Sequence, residues 1–388
     1  MNYSLSAKPG VSLPFFILNH SEENRMKKIS TLAAVLMAEA LFFGFTGCSN
    51  GTSAPAVTYT VTVADGIANG TVTASKTSGI AAGEIITLTI APEESESYDC
   101  ALATLSVKNG DSDVAVSGTG NSRTFTMPAA NVTVGATFTK TTYIGSKKPS
   151  VAKAVGDIVF NDGSAMPYTE FAALDNEAKN AKKTSAIALI FYKGTGSNDP
   201  LGAKTLGVGL KHIKKAWCTD SAKAKDKKID KIVCTPNGNA GNLIFGESAD
   251  KDGSDNLSQI AENLGNDDDT TGENAATLYP AFYFAINYKD TATNLGTEYA
   301  DEWYLQTLAE LFQIYANGKK NGAPFDIDIA SDALGGSKFE TSGYWSSSQY
   351  ASSNNCAYRL DFSNGAGYGD GQYKIFNGYY VCAIRAFN

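Results

Sequence analysis

Between Val57 and Lys140 apolar and hydroxylated residues alternate. In YTVTV and GTVTAS, Thr60, Thr62, Thr71 and Thr73 take one phase, and Val61, Val63 and Val72 take the other. Successive strand side chains point to opposite faces, so this period predicts half-buried strands, and IITLTI and VTVGATF continue it. Gly, Asn and Asp between the runs mark turns. Past the polar stretch TKTTYIGSKKPS (Thr139–Ser150) the pattern changes. VGDIVF leads into a turn at Asn161-Asp162-Gly163. AIALIFYKG (Ala186–Gly194) is apolar without alternation, as a strand covered on both faces would be. KTLGVGLKH reads as a further strand, and TLYPAFYFAINY (Thr277–Tyr288) is an aromatic run. In EWYLQTLAELFQIYANG (Glu302–Gly318), Leu308, Leu311, Phe312 and Tyr315 fall on one helical face, which predicts an amphipathic helix over 302–318 stopped at Asn317-Gly318. The expected fold class is α+β, with a small all-β domain over 57–140, a linker over 141–154 and a larger domain over 155–388.

The N-terminus reads as an address. Lys27 and Lys28 precede the apolar run Leu32–Phe45, which ends in Thr46-Gly47-Cys48. This is signal-peptide architecture. It resembles a bacterial lipoprotein signal, in which the cysteine after Gly is lipidated and becomes the new N-terminus. The resemblance implies removal of residues 1–47, translation from Met26, a lipid on Cys48 and a tether over 48–56. It places the protein at a bacterial outer membrane or cell surface, anchored by lipid.

Composition narrows the chemistry. The 388 residues carry a net charge of −8, which disfavours a nucleic-acid partner. Six cysteines form no CxxC pair, so a zinc knuckle is not expected. Removal of the signal leaves His212 alone, beside Lys211, Lys214 and Lys215, where it reads as a surface residue. A nucleophile–histidine site would have to use it. No glycine-rich phosphate loop stands in a strand–helix context. No enzyme activity and no cofactor are therefore expected. Asp250, Asp252 and Asp255 have a calcium-loop look, but Gly253 is misplaced for one, and the stretch reads as a solvated loop with a short helix, with no metal. Cys218–Cys234 and Cys356–Cys382 are candidate disulfides for an oxidising exterior, although pairing does not follow from sequence.

Two further resemblances carry function. YTVTVADGIANGTVTAS with FTMPAANVTVGATF resembles the InlB-type bacterial repeat, which implies an extracellular β spacer over residues 57–140. WYLQTLAEL, GYWSSSQ, AYRLDFSNG and VCAIRAF, in that order, resemble C-type-lectin-fold domains of the formylglycine-generating-enzyme type. More narrowly, they resemble the variable lipoproteins diversified by retroelements in Treponema-type spirochaetes. Gln306 and Cys382 stand where that family carries Pro and Arg. The resemblance implies a diversifiable ligand-binding face over about 344–387, displayed to a protein or glycan on host or microbial surfaces by a monomer. A fixed-specificity adhesin or lectin of the same fold is the alternative.

The family's mechanism replaces adenines, so an Asn codon ending in a pyrimidine never becomes Lys, Glu, Gln, Met or Trp. From Ser346 to Cys382 only Gln349, Gln372 and Lys374 belong to that excluded set. Alternation in AYRLDFSNG turns Leu360 and Phe362 to the core and Arg359, Asp361 and Ser363 outward. The candidate face is these three with Tyr350, Ala351, Tyr358, Tyr368, Asp370 and Tyr373. Trp345, Ser346, Ser347, Asn364, Gly365, Ile384 and Arg385 match the family's fixed framework. Tyrosines with Ser, Gly and Asn neighbours on a rigid scaffold are paratope chemistry, stiff anchors among adaptable polar groups.

Overall fold

The alternating segments form two four-stranded sheets. Strands β1 (Val61–Val63), β2 (Gly70–Ala74), β3 (Ile85–Pro92), β4 (Tyr98–Asn109), β5 (Ser112–Asp113), β6 (Val116–Ser117), β7 (Ser122–Thr126) and β8 (Val132–Thr142) pair in the orders β1-β8-β4-β5 and β2-β3-β7-β6. The inner phase of each strand enters one shared core containing Val61, Val72, Ile86, Leu88, Ile90, Phe125, Val134 and Phe138. Thr60, Thr62, Thr71 and Thr73 are exposed, as the alternation requires. The twelve-residue β4 escaped the sequence reading because its outer side is only weakly apolar.

This computed structural model describes residues 56–266, 268–341 and 343–387. The Met26 start, the cleavage site and the Cys48 anchor lie outside the described residues. Among the described residues no helix is long and apolar enough to cross a membrane.

The remaining chain is mixed helix and sheet. Strands β9 (Asp157–Phe160) and β10 (Ala165–Pro167) form the hairpin read at Asn161-Asp162-Gly163, where Gly163 has φ +80°. Helices α1 (Tyr168–Ala173) and α2 (Asn176–Lys183) lead to β11 (Ala186–Lys193), buried at every position but its last. With β12 (Thr205–Gly209) and the terminal β20 (Ile384–Ala386) these make a sheet ordered β10-β9-β11-β12-β20. A second five-stranded sheet runs β13 (Ile213–Lys214), β19 (Tyr380–Val381), β16 (Tyr344–Gln349), β17 (Ala357–Asp361), β18 (Ala366–Tyr368). A hairpin, β14 (Pro236–Asn239) and β15 (Asn242–Phe245), stands apart from both.

The aromatic run forms two short helices. Helix α3 (Asn256–Asn263) precedes α4 (Gly272–Leu278) and α5 (Pro280–Ile286), and Pro280 opens the last of these, where its missing N–H costs nothing. Their rings join Trp217, Trp303 and Trp345 in one core. The long amphipathic helix is α6 (Leu308–Gly318), followed by α7 (Ile327–Ala333). Helix α6 stops at Gly318 as expected but starts six residues later than expected. Glu302 has φ +68°, and Tyr304 bridges Ile384 in extended form. Helical backbone begins only after Thr307, whose hydroxyl accepts from Glu310 N while the Glu310 carboxylate accepts from Thr307 N, a reciprocal cap.

Candidate functional site

Strand β17 sets the outward phase. Leu360 and Phe362 are buried, Arg359 and Asp361 half-buried and Ser363 exposed. Antiparallel pairing puts Arg359 opposite Tyr368 on β18. The Arg359 guanidinium lies 4.6 Å from the Tyr368 ring and 4.8 Å from the Tyr379 ring, a cation held against two π faces. Its Nε donates to Gln372 Oε1 at 2.9 Å, and that oxygen also accepts from the Tyr379 hydroxyl. Asp361 approaches Arg359 Nη1 at 3.4 Å and accepts from Ser363 N and Oγ. Burial works to raise the Asp361 carboxyl, but the Ser363 bonds and Arg359 outweigh it and hold it below its usual value.

The other predicted face residues divide. Tyr368, Asp370 and Tyr373 are exposed. Ala351 is half-buried and borders a cleft of about 300 Å³ with Lys228, Asp230, Thr235 and Asn237. Tyr350 is half-buried, its ring edge-on to Tyr358 at 5.3 Å. Tyr358 corrects the expectation: it is only 4% exposed and packs in the core of α6. It shares the phase of Leu360 and Phe362, so the period that turns Arg359 outward turns Tyr358 inward.

Beneath the face lies a buried polar framework. Trp345, Ser346 and Ser347 are fully buried, as are Gln349 and Lys374. Ser346 Oγ donates to Tyr358 O, and the Trp217 indole donates to Ser346 O. Gly365 takes φ +68° with Asn364 capping its turn through Ala366 N. Ile384 is buried, and Arg385 donates to Asp301 O, Glu298 O and the Glu302 carboxylate. Gln306 and Cys382, the two departures from the family pattern, meet here: Gln306 Nε2 lies 3.5 Å from Cys382 Sγ and 3.3 Å from Trp345 O.

Lys374 was read by codon class alone; its side chain points inward. Its ammonium donates to Ala224 O at 2.9 Å and to Lys227 O and Gln349 Oε1 at 3.3 Å, and faces the Trp217 ring at 4.8 Å. Desolvation pulls its pKa down to about 8. Ile375 and Phe376, which follow it, are 45% and 48% exposed. The sequence reading passed over both; the signal was an apolar pair inside a glycine-bracketed loop.

Two other expectations fail. The paired cysteines are free thiols. Cys218 belongs to the tryptophan core, whereas Cys234 and Cys382 belong to the core of α6, so the bridges have no common wall to form in. Burial pushes Cys218 and Cys234 up to about 12. His212 is not a surface residue. Its ring packs 4.6 Å from Phe339, its Nδ1 lies 2.9 Å from the Tyr344 hydroxyl, and burial pushes it down to about 4, leaving it neutral.

The acidic stretch is self-satisfied. Asp252 pairs with Lys204 at 2.6 Å, Asp255 accepts from Gln259, and Asp250 accepts from Asn256. Among the described residues no group of three or more His, Cys, Asp or Glu side chains is arranged to hold a metal ion. A scan against protein-family models, a search of curated proteins and a search of solved structures each find no match to the chain.

Proposed function

We propose that the chain is a lipid-anchored surface protein whose C-terminal domain, of C-type-lectin fold, presents a diversifiable ligand-binding face. The observation that carries this reading is the contrast within residues 344–387. Half-exposed rings and Arg359 stand on strands whose inner residues are fully buried and hydrogen-bonded. A stiff support below adaptable tyrosine-rich surface is what a binding face needs, because little order has to be gained on binding. The first domain acts as a spacer, and Cys48 carries the lipid.

The test is to sequence the gene's 3′ end and its flanks across isolates. Differences should concentrate at Tyr350, Arg359, Asp361 and Tyr368, at adenines of a nearby non-coding copy. An invariant tail, or variation without that template bias, overturns diversification and leaves a fixed-specificity adhesin. The anchor is checked separately: fatty-acid labelling of the expressed chain should vanish in Cys48→Ser.

A further inference from the structure

Of the ten large apolar side chains exposed among the described residues, four lie between Tyr368 and Phe376: Tyr368, Tyr373, Ile375 and Phe376, each 40–54% exposed. They cannot turn inward. Lys374 is pinned below them, and the Trp345 indole donates to Phe376 O at 3.3 Å. Apolar area held out of the core in this way gains only when something else covers it.

The polar half of the patch is equally specific. Both faces of the Arg359 guanidinium are walled by rings, and Nε is used by Gln372. Among the described residues Nη2 has no acceptor, so what remains is an edge that a planar carboxylate fits. Two more cations adjoin it. Lys214 lies 4.8 Å from the Tyr380 ring, and Lys215 N donates to Tyr379 O. Neither lysine pairs with a carboxylate among the described residues.

We infer that this face takes a protein partner, not a glycan. An acidic side chain of the partner meets the edge of Arg359, and an apolar side chain seats against Ile375 and Phe376. A sugar could stack on tyrosines, but it has nothing to offer a branched aliphatic side chain or an open guanidinium edge. Arg, Tyr and Phe around a desolvated centre are the usual composition of protein–protein hot spots. The inference rests on the binding-face reading above and names its ligand class.

The experiment pans the full chain against phage-displayed random peptides and, in parallel, against an array of neutral and anionic glycans. Enriched peptides should carry Asp or Glu near an aromatic or branched apolar residue. A synthetic copy of one such peptide should bind about tenfold more weakly to Phe376→Ser and to Arg359→Gln. Arg359→Gln should also flatten the salt dependence of binding, which a merely structural role would leave unchanged. Ile329→Ser, exposed on α7, should bind as the parent does. Glycans binding in a Phe376-dependent manner would overturn the inference and leave the face reading intact. Peptides that bind unaffected by both substitutions would overturn both. Enrichment without acidic residues, or no enrichment on either support, overturns the inference.

Discussion

Replacing Lys374 by methionine should stabilise the protein at neutral pH. The side chain is fully buried, and its ammonium has three oxygen partners but no carboxylate among them. Methionine has nearly the same length and no charge to desolvate. Each oxygen it abandons keeps another donor: Ala224 O has Lys227 N, Lys227 O has Gln349 Nε2, and Gln349 Oε1 has Ile229 N. No orphaned acceptor therefore offsets the gain. Burial holds the lysine at about 8 against its ordinary 10.5. At 1.36 kcal/mol per pH unit, charging it inside the fold costs about 3 kcal/mol, which is the upper limit of the gain. The pH dependence follows. Between pH 8 and 10.5 the unfolded chain binds the extra proton, so parental stability rises through that window. The variant lacks this term, and its advantage should shrink as pH rises from 8 to 10.5. The assay is denaturant unfolding followed by tryptophan fluorescence, because Trp217, Trp303 and Trp345 all lie in this core. A variant less stable than the parent at pH 7, or a stability difference independent of pH, would refute the reasoning.

Three further outcomes are expected. Tyr358→Ala should cost about 3 kcal/mol by opening the core, whereas Tyr368→Ala should stay within about 0.5 kcal/mol, both by denaturant unfolding. Glu310 is buried, with Tyr304 Oη, Thr307 N and Gly253 N donating to it, and burial raises it from 4.5 to about 7. The folded state therefore holds its proton longer, stability is lost as pH climbs from 4.5 to 7, by about 3 kcal/mol, and Glu310→Gln should flatten that slope in unfolding titrations. Under native conditions Cys218, Cys234, Cys356 and Cys382 should resist thiol alkylation, and after denaturation without reductant all four should react, counted by intact mass.

Strand signals were legible where a period was long enough to read. The two-residue alternation placed Thr60, Thr71, Arg359 and Asp361 outward correctly, and the continuous apolar run gave β11. The same rule, applied one residue earlier, would have withdrawn Tyr358 from the face; its tyrosine identity was weighed above its phase. The start of α6 was illegible from apolar spacing because Trp303, Tyr304 and Leu305 are as buried as the helix itself. The cap Thr307-x-x-Glu310 was the better signal. His212 was misread because neighbouring lysines suggested solvent, while the aromatic ring of Phe339 that covers it lies 127 positions away in sequence. Ile375 and Phe376 sit in a loop, where no period exists to say which side chains a tertiary latch leaves outside.

That latch connects codon chemistry to structure. Gln349, Gln372 and Lys374 are the three residues between Ser346 and Cys382 that adenine replacement in an Asn codon cannot produce. All three act as hydrogen-bond hubs. Gln349 ties Ile229, Lys227 and Asn354 to β16, and Lys374 adds Ala224 to the same oxygen cluster. Gln372 gathers Arg359 and Tyr379, and its backbone carbonyl accepts from Ala357 N. Exchanging Tyr368, Asp370 or Tyr373 breaks none of these bonds, so such changes should stay near the half-kilocalorie scale of ordinary surface substitutions. Exchanging Arg359 removes one bond to Gln372 but leaves that oxygen its Tyr379 donor. A face built this way can change its chemistry at low cost in stability, provided the three hubs stay fixed. The loop that carries Tyr373, Ile375 and Phe376 then keeps its shape while the residues around it vary.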